Sequence, residues 1–172
     1  MSNRIALTNL GKYNEGNLVF EWLELPFTDE QFKKALEKIG IDGKRYEEYF
    51  ISDYETDITG LKIGEYENVE ELNDLITEYE RLDEEERNKI AAIIESEEIS
   101  LKEAMDCLED IELIPDVKND YDLGYYWIEE SGCYDTKAMG NLARYIDYES
   151  FGRDTRIDEA GDYTSYGYVR KS

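Results

Sequence analysis

Any fold this chain adopts must keep 43 carboxylates in water while holding a core together against a net charge of −24. Self-repulsion on that scale leaves chains of low hydrophobicity disordered. Here the apolar content opposes it: 41% of the 172 residues are hydrophobic and 13% aromatic, spread along the whole length. The sequence therefore reads as folded, with its acids on faces that its apolar residues do not use.

The size of the charge invites a comparison. Duplex DNA carries one negative charge per roughly 1.7 Å of axis, so −24 corresponds to roughly 41 Å of duplex. A compact chain of 172 residues has a radius of gyration of about 16 Å, hence a diameter of roughly 40 Å. Length for length, the chain carries about the charge of the double helix. Solubility, ion buffering and salt adaptation give similar totals, so charge alone does not choose among them.

Several chemistries are excluded by residue type. Histidine is absent, which removes Ser-His-Asp and Cys-His catalysis and every His-ligated metal site. Cys107 and Cys133 stand apart with no C-x-x-C, so neither a zinc knuckle nor a redox pair is indicated. A calcium loop opens at Asp53, Glu55 and Asp57 but fails, with Ile58 where glycine belongs and Gly64 where the bidentate Glu belongs. Neither phosphate-binding glycine motif occurs, and basic runs reach only two residues, which argues against direct binding of nucleic acid. Among so many acids no catalytic pair stands out. We expect no catalytic residue, no metal, no cofactor and no enzyme. The polar N-terminus and the lack of a long apolar stretch predict a soluble, cytoplasmic protein.

Periodicity predicts mixed α+β structure. Residues 4–7 and 18–25 read as strands, the second placing Leu18, Phe20 and Trp22 on one face, with GKYNEG as a tight connection between them. A helix follows with Thr28 as N-cap, Gln31 closing a capping box, Phe27 and Phe32 as a hydrophobic staple, and Gly40 at its end. Residues 46–55 form a third strand. Three capped helices come next, starting at Asn68/Glu71, Asp83/Glu86 and Ser100/Glu103. Residues 111–117 read as a strand broken by Pro115, and residues 120–130 as a helix carrying Leu123, Trp127 and Ile128. Another helix is expected over residues 136–151, with Met139, Leu142, Ala143 and Ile146 as its stripe and Gly152 as its cap. A closing strand spans residues 163–170. The expected organisation is three small in-line domains: α+β (1–60), helical (61–110) and α+β (111–172).

The helices place their acids consistently. Glu70, Glu71, Asp74 and Glu78 avoid the stripe of their helix, and Glu84, Glu85 and Glu86 crowd the first turn of the next, where the helix dipole favours anions. A solvated face explains any one helix. Compensation is scarce, however: residues 61–110 hold only Lys62, Arg81, Arg87, Lys89 and Lys102 as bases.

Three stretches carry a resemblance. "LARYIDYESFGRD" (142–154) resembles the antirestriction motif of the ArdA family of antirestriction proteins, and "NLGKYNEGNLVFEWLELP" (9–26) and "YEEYFISDYE" (46–55) are similar to the same family. The resemblance implies an elongated three-domain homodimer from a mobile genetic element, whose carboxylates imitate the phosphates of bent B-form DNA. Such a protein occupies the DNA-binding groove of type I restriction-modification enzymes. On this chain the implied mimic carboxylates are Asp29, Glu30, Glu70, Glu71, Asp74, Glu78, Asp83, Glu84, Glu85, Glu86, Glu109, Asp110, Glu129 and Glu130. The implied motif and dimer-interface residues are Leu142, Ala143, Arg144, Tyr145, Ile146, Asp147, Tyr148, Glu149, Phe151, Gly152, Arg153 and Asp154, with Leu142, Ala143 and Ile146 in packing. The alternative is an acidic protein that binds another basic, DNA-binding host protein. A motif helix that merely docks within its own domain is equally consistent with the residues.

Overall fold

The computed structural model describes residues 2–172, which contacts divide into two compact units, one ending at Leu82 and one beginning at Asp83. The architecture is mixed α+β with two small antiparallel sheets.

In the first unit, β1 (Arg4–Asn9) is the middle strand between β2 (Phe20–Glu24) and β3 (Tyr49–Glu55). Its Ile5 to Asn9 are all buried, as befits a strand covered on both faces. A bulge in β3 beside Ala6 and Leu7 shifts the register, so Ser52 pairs with no residue across the ladder and bonds instead to the Thr8 hydroxyl at 2.7 Å. The face of β2 that enters the core carries Leu23, followed by Leu25, while Leu18 and Phe20 stay exposed. The expected tight connection contains a short helix, α1 (Leu10–Asn14), capped by the Asn9 side chain.

Helix α2 (Asp29–Ile39) forms as its sequence directs. Thr28 and Gln31 close the capping box, the Phe27 and Phe32 rings lie 5.1 Å apart, and Gly40 turns left-handed at φ 82°. A cap of this kind contributes about 1 kcal/mol. Its last carbonyl, on Ile39, accepts from the Asn9 amide and from Lys12 Nζ, both at 3.1 Å. Helix α3 (Val69–Arg81) buries Val69, Leu72, Ile76 and Tyr79. Asn73, on its flank, pairs with the backbone of Phe27, accepting from the N–H at 2.7 Å and donating to the carbonyl at 3.2 Å. The amide thus reproduces a peptide pairing and ties α3 to the segment entering α2.

In the second unit β6 (Gly167–Lys171) lies between β4 (Ile111–Ile114) and β5 (Asp162–Thr164). The single closing strand expected over residues 163–170 is therefore a hairpin. Its turn is held by the Thr164 hydroxyl on the Gly167 carbonyl at 2.8 Å, with Gly167 at φ 136°. Helix α4 (Glu84–Glu97) packs on all three strands and on α5 (Leu101–Asp106), burying the unbroken run Ile90 to Ile94. Both helices start with the capping boxes anticipated from Asp83/Glu86 and Ser100/Glu103.

Helix α6 (Asp120–Tyr125) runs on through a π turn (Tyr126–Glu130), covering the expected helix. Residues 136–151 do not form one helix. A 3₁₀ stretch (Thr136–Tyr145), broken at Gly140 with φ 55° and ψ −128°, precedes α7 (Tyr148–Glu159). Gly152 caps nothing: it lies inside α7, which ends at the left-handed Ala160. Val117, Leu123 and Tyr168 form a core here, with Ile114, Tyr126, Trp127 and Tyr163 packed around them.

Candidate functional site: an acidic surface and a two-part motif

Helix α3 shows how the acids are displayed. Its buried side carries Leu72, Ile76 and Tyr79, while Glu70, Asp74 and Glu78 recur at four-residue intervals on the exposed side. Four residues advance a helix by about 6 Å. The helix carries five acids and Arg81 over 13 residues, a net −4 along about 20 Å, or one charge per roughly 5 Å. One strand of duplex DNA carries one per roughly 3.4 Å. The line densities are of the same order.

Of the fourteen anticipated carboxylates, thirteen are exposed and Glu86 is half-buried. They are not equivalent. Asp29, Glu70, Asp74, Glu78 and Glu84 point to solvent. Glu30 and Glu85 pair with Lys34 and Lys89 one helical turn on, at 2.7 and 3.3 Å. Glu71 accepts from the Asn68 amide at 3.3 Å, and Asp83 and Glu86 bond each other's backbone N–H groups. Glu109 and Asp110 sit in an exposed 3₁₀ turn. Glu129 is engaged, accepting the Tyr148 hydroxyl at 2.6 Å and the Thr136 hydroxyl at 3.1 Å. Glu130 borders a cleft under α6.

The motif divides at Asp147. Upstream, Leu142 and Tyr145 are 66% and 75% exposed, Ala143 and Ile146 are half-buried, and Arg144 lies over the Tyr145 ring at 5.5 Å. Leu142, two residues after the Gly140 break, is thus largely exposed in its own chain. Downstream, the residues fasten α7. Asp147 is its N-cap, accepting from the Ser150 N–H at 3.0 Å and hydroxyl at 2.8 Å, bonds that hold its carboxyl below the usual range. Tyr148 meets the Tyr121 ring edge-on and the Tyr125 ring at a tilt, and its bond to Glu129 pushes its phenol up to about 12. Phe151 meets Tyr134 edge-on at 5.6 Å, and Gly152 meets the backbone of α6. Glu149 is exposed, and Arg153 pairs with the adjacent Asp154 at 3.2 Å. The upstream half faces outward; the downstream half docks inside its own unit.

Arginine has a repeated use elsewhere. Arg4 lies over Trp22 at 4.5 Å and bonds Glu55 at 2.8 Å; Arg45 lies over Tyr46 at 5.0 Å and bonds Glu15 at 3.2 Å. Arg156 lies over Tyr163 at 5.7 Å and bonds Asp120 at 2.9 Å; Arg170 lies over Trp127 at 5.3 Å and bonds Glu112 at 2.7 Å. Four times, an aromatic ring and a carboxylate both contact one guanidinium, a geometry suited to its flat face and its fork of donors. Asp120 and Tyr121 escaped the sequence reading; the only signal was Tyr121 and Tyr125 spaced one helical turn apart around Gly124.

Fold and surface define a small α+β protein whose exposed charge is mostly carboxylate, with an outward-facing segment at Leu142, Arg144 and Tyr145. The family description "Antirestriction protein (ArdA)" matches residues 5–170, nearly the whole chain, and the chain belongs to that family. No curated protein matches it in sequence. Among the described residues no helix is long and apolar enough to cross a membrane.

Proposed function

We propose that this antirestriction protein acts by imitating B-form DNA, competitively occupying the DNA-binding groove of a type I restriction-modification enzyme without turnover. The observation that carries the reading is the row Glu70, Asp74 and Glu78 on α3, exposed at intervals of about 6 Å on a helix whose net line charge is of the same order as that of a phosphate strand. Lysines and arginines that meet phosphates would meet these carboxylates instead, and association should be fast and weakened by salt. Carboxylates stay ionised above about pH 5, so the imitation holds at ordinary cellular pH. The exposed Leu142, Arg144 and Tyr145 support a homodimer formed through the second unit, since aromatic residues and arginine are enriched where protein surfaces meet.

The reading is tested by adding the purified chain to a type I enzyme and unmodified plasmid. Cleavage should stop at near-stoichiometric protein and recover when excess duplex is added. Undiminished cleavage, with the chain instead capturing some other basic DNA-binding protein, would replace this target.

A further inference from the structure

Beneath α6 lies an open cleft of about 280 Å³, walled by Tyr121, Tyr125 and Tyr126 and edged by Asp116, Asp122 and Glu130. It lies at the lower edge of the roughly 300–1,000 Å³ usual for ligand pockets and has room for a side chain. No lysine or arginine lines it. Two other clefts differ in this respect, one having Lys34 and Lys38 in its walls and the other Lys44 and Arg45. Asp122 spends one oxygen on the Lys118 N–H and the Asn119 amide; the Asp116 and Glu130 carboxylates accept no hydrogen bond from the described residues. Tyr121 and Tyr125 remain 52% and 42% exposed, their rings nearly parallel.

We infer that this cleft takes a guanidinium group, and that its occupant is an arginine side chain of the target enzyme. In each of the four arginine-centred triads this chain sets an aromatic face and a carboxylate against one guanidinium. The cleft combines the same two components, three rings and three acids, with no cation of its own in the wall. Cation–π contact with an aromatic face adds to charge-assisted bonding, so the cleft would be a focal anchor within an otherwise distributed anionic surface. The identity of the occupant rests on the proposed function; the guanidinium chemistry does not.

The probe is N-acetyl-arginine amide, titrated into the full chain and followed by tyrosine ring resonances. Tyr121, Tyr125 and Tyr126 should shift along a saturating curve. Asp116→Asn with Glu130→Gln should weaken that binding by about tenfold, while Glu70→Gln with Asp74→Asn, an equal loss of charge, should change it by less than about twofold. Asp116 sits at φ 65°, a region asparagine accepts readily, so the first variant keeps the backbone intact. Equal weakening by both pairs, or equal shifts at Tyr13 and Tyr66, would overturn the cleft as a site. In the cleavage assay the Asp116→Asn, Glu130→Gln variant should need several times more protein for half-inhibition; unchanged inhibition would overturn the occupant. Conversion of a dimer to a monomer by that variant would overturn it too, assigning the arginine to a second copy of the chain. Wild-type protein that binds the probe yet inhibits no type I enzyme would refute the proposed function and this occupant together, leaving the guanidinium chemistry standing.

Discussion

Gly152 and Gly124 bring two helix backbones into direct contact. A Cβ on Gly152 would come within 1.8 Å of the Asp120 carbonyl oxygen and 2.7 Å of the Gly124 nitrogen, and one on Gly124 within 1.9 Å of the Tyr148 carbonyl oxygen. Neither neighbour can swing aside, because both are main chain. Gly152→Ala should therefore destabilise the protein by about 2–3 kcal/mol despite alanine's better helix propensity. Chemical denaturation checks this: the midpoint should fall while the slope stays the same. An unchanged midpoint would mean that the helices separate freely.

Asp120 is the charged centre of the same region, accepting from Arg156 at 2.9 Å and from the Tyr163 hydroxyl at 2.8 Å, and those two bonds, in that order, depress its carboxyl. A carboxyl depressed in the folded state contributes stability above its unfolded value, near 3.9, and loses it as pH falls through the folded one. Acid unfolding of Asp120→Asn should accordingly show a flatter stability profile below about pH 4 than the wild type. Parallel profiles would remove Asp120 from this role.

Tyr148 behaves oppositely. Its phenol is raised to about 12, chiefly by the hydrogen bond to Glu129. That bond stabilises the fold fully below the unfolded tyrosine value, near 10, and the contribution disappears as pH rises through about 12. Site-resolved titration should find Tyr148 ionising late, and Glu129→Gln should move it back toward the ordinary value. A Tyr148 that titrates with the exposed tyrosines would show that the bond is not kept in solution.

Leu142 offers the test of association. It is exposed in its own chain, so Leu142→Asp should leave the circular dichroism spectrum unchanged. Light scattering should show the mass falling from a dimer to a monomer at micromolar protein. A dimer that survives this change does not use the upstream half of the motif.

Local rules were legible in the sequence where local physics decides. Thr28, Asn68, Asp83 and Ser100 all cap the helices assigned to them, because an N-cap needs only its own next turn. The acids of α3 were legible for the same reason, as the complement of an apolar stripe. Tertiary causes were not. Gly152 looks like a helix stop until Gly124, 28 positions earlier, is brought against it. The residues from Met139 to Ile146 share a helical stripe on paper, yet Gly140 adopts a backbone that no helix contains. No local pattern marks Asn73, whose pairing with Phe27 spans 46 positions. The closing strand became a hairpin at a turn marked only by Gly167. The cleft under α6 has no sequence signature beyond its tyrosine spacing.

Displacement of labelled duplex from a type I enzyme, followed by anisotropy across a salt series, bears on the mimic itself. The chain and the duplex should exclude each other, with the logarithm of the affinity falling linearly in log salt between about 50 and 200 mM. Glu70→Gln alone should weaken competition by less than about twofold, while Glu70→Gln, Asp74→Asn and Glu78→Gln together should weaken it by about tenfold or more. A ternary complex of enzyme, duplex and chain, or an affinity indifferent to salt, would mean that these carboxylates do not stand where phosphates stand.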